Sequence, residues 1–247
     1  MATDTSGRVL SRGWTEIDYD VAMEIASHEA IVRQAYKDSV GKWTWSVGLT
    51  SATGHNVERY IGNPQPLKKC LAIYAWALEK YAEEVREAFA GHALSKAQFA
   101  AALSFHWNTG AIKSATWVKL WKAGSIASAR KAFMDWNKPA EIIPRREKER
   151  DLFFEGKWSN KGTMLEYTRV TAKGTPDWSS AKRINVEQEL RAAFALPPAS
   201  APVSEAPPPP PPDIEPIPVP VSQPAQPSGF FFAALKNLLE SLFGRKA

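Results

Sequence analysis

A glutamate at position 29, an aspartate nine residues on at 38 and a threonine six further at 44 carry the side chains with which this chain could do chemistry. They lie in HEAIVRQAYKDSVGKWTWSVG, residues 28–48. Glycoside hydrolysis uses such a set. A protonated carboxylic acid serves the leaving oxygen, and an ionised carboxylate activates water or attacks carbon. Glu29 and Asp38 would supply the pair, and Thr44 would orient the water. The spacing alone also fits two solvated surface acids, so the neighbouring elements decide.

Residues 19–37 read YDVAMEIASHEAIVRQAYK. Val21, Ile25, Ala26, Val32, Ala35 and Tyr36, with Ile31, recur at mixed three- and four-residue steps. That pattern predicts an amphipathic helix over 19–38. Gly41 breaks it. The following WTWSVGLT is rich in aromatic and β-branched residues and reads as a strand entering a hairpin. A hairpin lobe is expected over 42–62, with SATGH (51–55) as its turn. The expected geometry is an acid on a helix, a carboxylate just beyond it and a hydroxyl on the next strand.

In these residues the chain resembles glycoside hydrolase family 24, the phage-type (T-even) lysozymes and endolysins, whose hallmark is E-x8-[DC]-x5-T. Glu29, Asp38 and Thr44 fit it without a gap. AYKDSVGKWT (35–44) is similar to the family's A-Y-x-D-x-x-G-x-x-T. ALSKAQFAAALSFHWNTGAIKSATWVKLW (93–121) and PRREKERDLFFEG (144–156) look like its second and third blocks. The family usually continues T-x-G-x-G-[HT]. Here Ser46 stands at the first Gly, Gly48 at the second and Leu49 at the polar position.

The resemblance implies an α+β, lysozyme-like fold: a small β-hairpin lobe plus a larger α-helical lobe, with a ligand cleft between them. It implies peptidoglycan as substrate, cut at the β-1,4 bond between N-acetylmuramic acid and N-acetylglucosamine. It also implies inversion, for which the two carboxyls stand roughly 6.5–9.5 Å apart. Glu29 would be the general acid, with Asp38 and Thr44 positioning water. Trp107, Asn108 and Gly110 align with the family's F-N-x-G segment and are expected to line the cleft, although Trp107 also fits a core position. Arg145 or Arg146 is expected to pair with Glu29. Two demands then compete: a general acid must arrive protonated, whereas a neighbouring cation favours the ionised form.

The 247 residues are 44% hydrophobic, enough for one sizeable core with appendages. The net charge of +5 suits a polyanion such as cell wall, or equally reflects solvated lysines. No nucleic-acid-binding motif is present. The single cysteine, Cys70, excludes an intrachain disulfide and reads as a buried structural thiol. His28, His55, His92 and His106 lack metal-ligand spacing, so no metal and no cofactor are expected. The first residues, MATDTSGRVLSRGW, have no basic region followed by an apolar run. The expected course is a monomer held in the host cytoplasm, reaching the periplasm and wall after holin-type release.

Along the chain, 1–18 reads as a leader and 19–156 as the lysozyme-like domain. Within it, 66–90 is expected to be one long helix and 95–156 mainly helical. Residues 157–195 form an extension, expected either to pack back on the helical lobe or to offer Trp158, Tyr167 and Trp178 to sugars. Residues 196–228 form a Pro-rich linker: 14 of the 19 prolines fall within 197–227, a composition that adopts a semi-rigid polyproline II spacer. Residues 229–247, GFFFAALKNLLESLFGRKA, form an amphipathic helix suited to a membrane surface rather than a span. An alternative reading therefore stands beside the glycosidase: a membrane-disrupting or wall-binding protein acting through this tail.

Overall fold

The structure is a computed structural model that describes residues 13–195. The Pro-rich linker and the amphipathic tail lie outside the described residues, as do the first twelve residues of the leader. Residues 13–18 are tied to the helical lobe. Trp14 donates its backbone N–H to Leu94 O at 2.8 Å, and the Arg86 guanidinium donates to Thr15 O.

The first helix, α1, covers Tyr19–Ser27. Asp18 caps it by accepting from the Val21 N–H at 3.1 Å. The expected continuation of this helix to 38 does not occur. Ala30–Lys37 is a strand, β1. The reason lies in its burial on both faces. Ile31 and Ala35 pack into the main core, while Ala30, Val32 and Tyr36 face a second, smaller cluster with Tyr167. A strand covered on both sides loses the simple apolar–polar alternation, and its apolar positions then imitate a helical stripe.

β2 (Trp43–Ser46) and β3 (Leu49–Thr50) form the hairpin. Its reversal falls at Val47–Gly48, not at the expected 51–55, where the chain instead makes a short 3-10 turn, Ser51–Thr53. The helical lobe follows as α2 (Leu67–Ala88), α3 (Lys96–Thr109), α4 (Thr116–Lys122), α5 (Ile126–Phe133) and α6 (Ile143–Glu155). Ser95 and Gln98 close a reciprocal capping box at the start of α3. Phe99 through His106 are all buried, which makes α3 the central helix against which α1, α2 and α6 pack. Beside it Trp117 meets Phe133, Phe153 and Phe105 with ring centroids 4.7, 4.9 and 5.3 Å apart. Such aromatic pairs add to the large apolar area they bury.

Residues 157–195 take part in both lobes. β4 (Thr163–Tyr167) pairs in parallel with β1, and β5 (Ala181–Asn185) pairs antiparallel with β4. The sheet is thus five-stranded, in the order β3-β2-β1-β4-β5. α7 (Glu187–Ala195) returns to pack on α2 and α1. Tyr167 is buried, and Trp178 packs on it with ring centroids 5.0 Å apart.

Candidate active site

Glu29 and Asp38 stand at the two ends of β1. Glu29 follows α1 directly, its N–H still donating to Ala26 O at 3.1 Å. It therefore lies at the helix-to-strand junction rather than on the helix itself. Asp38 opens the turn into β2. That turn is closed by Asp38 N–H to Lys42 O at 3.0 Å and bends through Gly41 at φ 80°.

The Asp38 carboxylate is fixed by its own turn. Oδ1 accepts the backbone N–H groups of Val40 (3.0 Å) and Lys42 (2.8 Å). Oδ2 accepts the Thr44 hydroxyl at 3.3 Å. Both side chains are nearly buried, so these bonds hold the carboxylate in one orientation.

Glu29 is held from far along the chain. Arg145, on α6, donates from Nη1 to Glu29 Oε1 at 2.5 Å. Arg145 is itself buried and bound on its other side, where Nε donates to Glu149 Oε1 at 2.8 Å. Its Nη2 donates to Ser104 O at 3.2 Å. Burial alone would lower the Arg145 pKa, but the charges of Glu29 and Glu149 raise it above its ordinary value. Glu149 is likewise buried. Burial favours its protonated form, yet the charges of Arg146 and Arg145 outweigh that and hold its carboxyl low. Ser104 adds a hydrogen bond to Glu149 at 2.6 Å.

Arg146 does not reach Glu29. It pairs with Glu149 and donates to Asn108 Oδ1 at 2.6 Å and Trp136 O at 3.1 Å. Asn108 is thus a buried partner of Arg146, and Gly110 ends α3 in the left-handed region at φ 66°. Of the three residues expected to line the cleft, only Trp107 stands next to Glu29. A Cβ placed on Gly48 would lie 3.7 Å from Glu29 Oε2 and 3.9 Å from Trp107 Nε1. The hairpin reversal therefore packs closely over both. Trp107 is half-buried, set edge-on to Tyr74 at 5.4 Å and tilted against Tyr81 at 4.9 Å.

Two residues beside the site, Glu149 and Tyr36, were not singled out for a role in the sequence. Glu149 had a signal, since it closes the RRxxE spacing with Arg145. Tyr36 sits on β1 where burial, followed by the charges of Glu29, Asp38 and Tyr167, keeps its phenol well above the usual range. Ser46 departs from the family's Gly and has φ 55°, left-handed backbone that a side chain rarely adopts. Its buried hydroxyl donates to Cys70 O at 2.9 Å. Leu49 is fully buried, so an apolar residue suits that position. Cys70 is buried too, and burial pushes its thiol up to about 12. Among the described residues no group of three or more His, Cys, Asp or Glu is arranged to hold a metal ion.

A small sheet against a helical lobe, with a carboxylate at each end of the sheet's middle strand, is the arrangement of a lysozyme-type fold. Residues 26–149 match the family described as phage lysozyme. The chain belongs to that family. It is 33% identical over 105 residues to the endolysin of Bacillus phage B103, a match covering 37% of this chain and 40% of the relative. The chain thus spans well under half of that relative's length. The endolysin from Escherichia coli O157:H7 phage FAHEc1 has a similar fold. Its TM-score is 0.53 at 21% identity, over 60% of this chain and 99% of that one. The muramidase domain of SpmX from Asticaccaulis excentricus matches 57% of this chain and 98% of its own, at 22% identity and a TM-score of 0.49.

Proposed function

We propose that this protein is an endolysin-type muramidase that hydrolyses the β-1,4 bond between N-acetylmuramic acid and N-acetylglucosamine in peptidoglycan. The observation that carries the reading is the placement of two carboxylates at opposite ends of β1, one closed in by its own turn and one with an oxygen toward the hairpin reversal. Asp38 accepts two backbone N–H groups and the Thr44 hydroxyl. Those donors hold the carboxylate in one orientation, as a group that aims a water requires. Glu29 has one oxygen on Arg145, and its second faces the glycine of the hairpin reversal, beside Trp107. A side chain at Gly48 would lie in van der Waals contact with that oxygen and crowd a sugar oxygen approaching the acid.

In this mechanism Glu29 protonates the leaving oxygen as the glycosidic bond breaks. Asp38 takes a proton from the water that attacks the anomeric carbon from the opposite face. Thr44 holds that water, and the anomeric configuration inverts. Trp107 offers an aromatic edge to the glycan, while Asn108 acts through Arg146 as a positioning residue. On this reading the enzyme meets the wall after holin-type release from the host cytoplasm. The apolar face of 229–247 would bring it to a membrane surface, a proposal supported by sequence pattern alone.

The test is turbidity loss of purified, lipid-free peptidoglycan by the intact protein and by Glu29→Gln. Lysis by the first and none by the second, both folded, is expected. Undiminished lysis by Glu29→Gln would remove Glu29 as the acid. Killing of intact cells without wall hydrolysis would transfer the activity to the tail.

A further inference from the structure

The strand that carries both carboxylates is gripped at both ends by chain that lies past the family match of residues 26–149. At its start, Ala30, Ile31 and Val32 pair with Leu165, Glu166 and Tyr167 of β4. At its end, the Lys37 N–H donates to Gly174 O at 2.6 Å. Gly174 belongs to the connection between β4 and β5. The two grips therefore fall on the residue after Glu29 and the residue before Asp38.

Between these grips β1 is irregular. Val32 lies opposite Ser46 and Tyr36 opposite Thr44, so four steps along β1 run against two along β2. Extra residues on one strand bend it and interrupt its ladder. A bend in β1 changes the separation of its ends, and β2 has no continuous ladder there to fix the angle. The β4–β5 connection spans that stretch and is stiff in its own right. Val170 and Pro176 form an antiparallel bridge. Thr171 N–H donates to Thr175 O at 2.8 Å, and Gly174 N–H to Thr171 O at 2.9 Å. Arg169 pairs with Asp177 at 2.9 Å. Gly174 packs against the Lys37 and Trp43 side chains and takes φ 84°.

We propose that the β4–β5 hairpin is a splint that sets the separation of Glu29 and Asp38, with the Gly174 carbonyl fixing the Asp38 end through Lys37. This rests on the assignment of those two residues as acid and base. An inverting pair works only over a narrow span of distances. A misplacement of about 1 Å at a reacting group can cost on the order of a hundredfold in rate.

Two variants separate positioning from general stability. Gly174→Val puts a β-branched residue at a left-handed position and displaces the carbonyl. Gly174→Asn tolerates that conformation and keeps it. On a soluble glycan-strand oligosaccharide, Gly174→Val is expected to lower kcat by about tenfold or more, with KM within about twofold, and Gly174→Asn is expected to restore kcat. Wild-type kcat in folded Gly174→Val would overturn the splint alone. Equal losses in the two variants would also overturn it. Absence of hydrolysis by the wild-type protein would overturn the muramidase reading and this proposal with it. Amide exchange of the wild-type protein reads the contact directly and needs no variant to fold: Lys37 should be protected like Ile31 and Val32. Exchange at the rate of an open loop would overturn the proposal.

Discussion

Arg145 reaches Glu29 across 116 positions of the chain and binds it with the same guanidinium that holds Glu149. The candidate acid is thereby fastened to the middle of the helical lobe rather than to its own strand. Every charge in this chain of contacts except Glu29 is fully buried, and each is matched by a partner. Removing one member leaves another charge buried without its counterpart, which typically costs about 3–5 kcal/mol.

Arg145→Ala is therefore expected to lose both stability, by about that amount, and activity. Arg145→Lys keeps the charge but has a single ammonium where a fork spans two carboxylates. It should retain most of the stability and little of the hydrolysis. Denaturant unfolding and wall turbidity measured on the same samples separate the two effects. A fully active Arg145→Ala would show that Glu29 needs no anchor.

Ser46 sets an opposition that can be read from three variants. Left-handed backbone costs a side-chain-bearing residue about 1–2 kcal/mol, and the Ser46–Cys70 hydrogen bond returns about 1 kcal/mol. Ser46→Gly relieves the first and loses the second, so its stability should stay within about 1 kcal/mol of wild type. Ser46→Ala keeps the strain and loses the bond, and should be the less stable of the two. Ser46→Val adds a branched side chain at φ 55° and should be the worst. The ranking Gly, Ala, Val by thermal unfolding is the measurement. Ala above Gly would mean that the backbone is not strained there.

Gly48 combines left-handed backbone, at φ 77°, with close approach to the Glu29 carboxyl and the Trp107 ring. Gly48→Val should abolish most wall lysis by crowding Glu29 and Trp107. Weakened binding, seen as a raised KM on a soluble glycan, is expected as well as a lowered kcat. A Gly48→Val protein that is folded and fully active would place the substrate elsewhere.

Glu24 predicts the acid limb of stability. It is completely buried and receives Ser159 N–H and Oγ–H and Asn160 N–H and Nδ2–H. The His28 ring lies 3.5 Å away. Burial alone would raise its pKa, but the His28 ring and the Ser159 and Asn160 donors bring it down from 4.5 to about 2. A carboxyl held below its unfolded value stabilises fully above about pH 4.5. That contribution, on the order of 3 kcal/mol, fades as pH falls toward 2. Glu24→Gln should start less stable and lose less on acidification. Some slope should remain, because Glu149 is also held low and works in the same direction. An unchanged slope in Glu24→Gln would contradict the buried ion.

The sequence made the candidate side chains more legible than the geometry that joins them. The side-chain types at 29, 38 and 44 and the RRxxE block pointed to the residues that the fold brings into contact as Asp38 with Thr44 and Arg145 with Glu29. The helices from 67 to 155 followed from apolar periodicity and from the Gly and Pro residues that punctuate it. β1 was hidden because cover on both faces erased its alternation. The burial of Asn108 and the choice of Arg145 over Arg146 were hidden as well, because adjacent residues of one motif point to different sides of a helix. Nothing local announces that Leu165 will pair with Ala30 or that Gly174 will meet Lys37. Those contacts are long-range, and short apolar segments fit many partners.

The Glu24 clamp also bears on where this protein can be divided. The family match ends at residue 149 and α6 at Glu155, which makes Gly156 look like the edge of an interchangeable cassette. Yet four of the donors that neutralise Glu24 come from Ser159 and Asn160, beyond that point. A transplant cut at Gly156 would strip the buried Glu24 of those four donors, leaving the His28 ring beside it, and would bare β1 along one edge. Evolution or engineering that regrafts this domain onto another chain must move the hairpin with it.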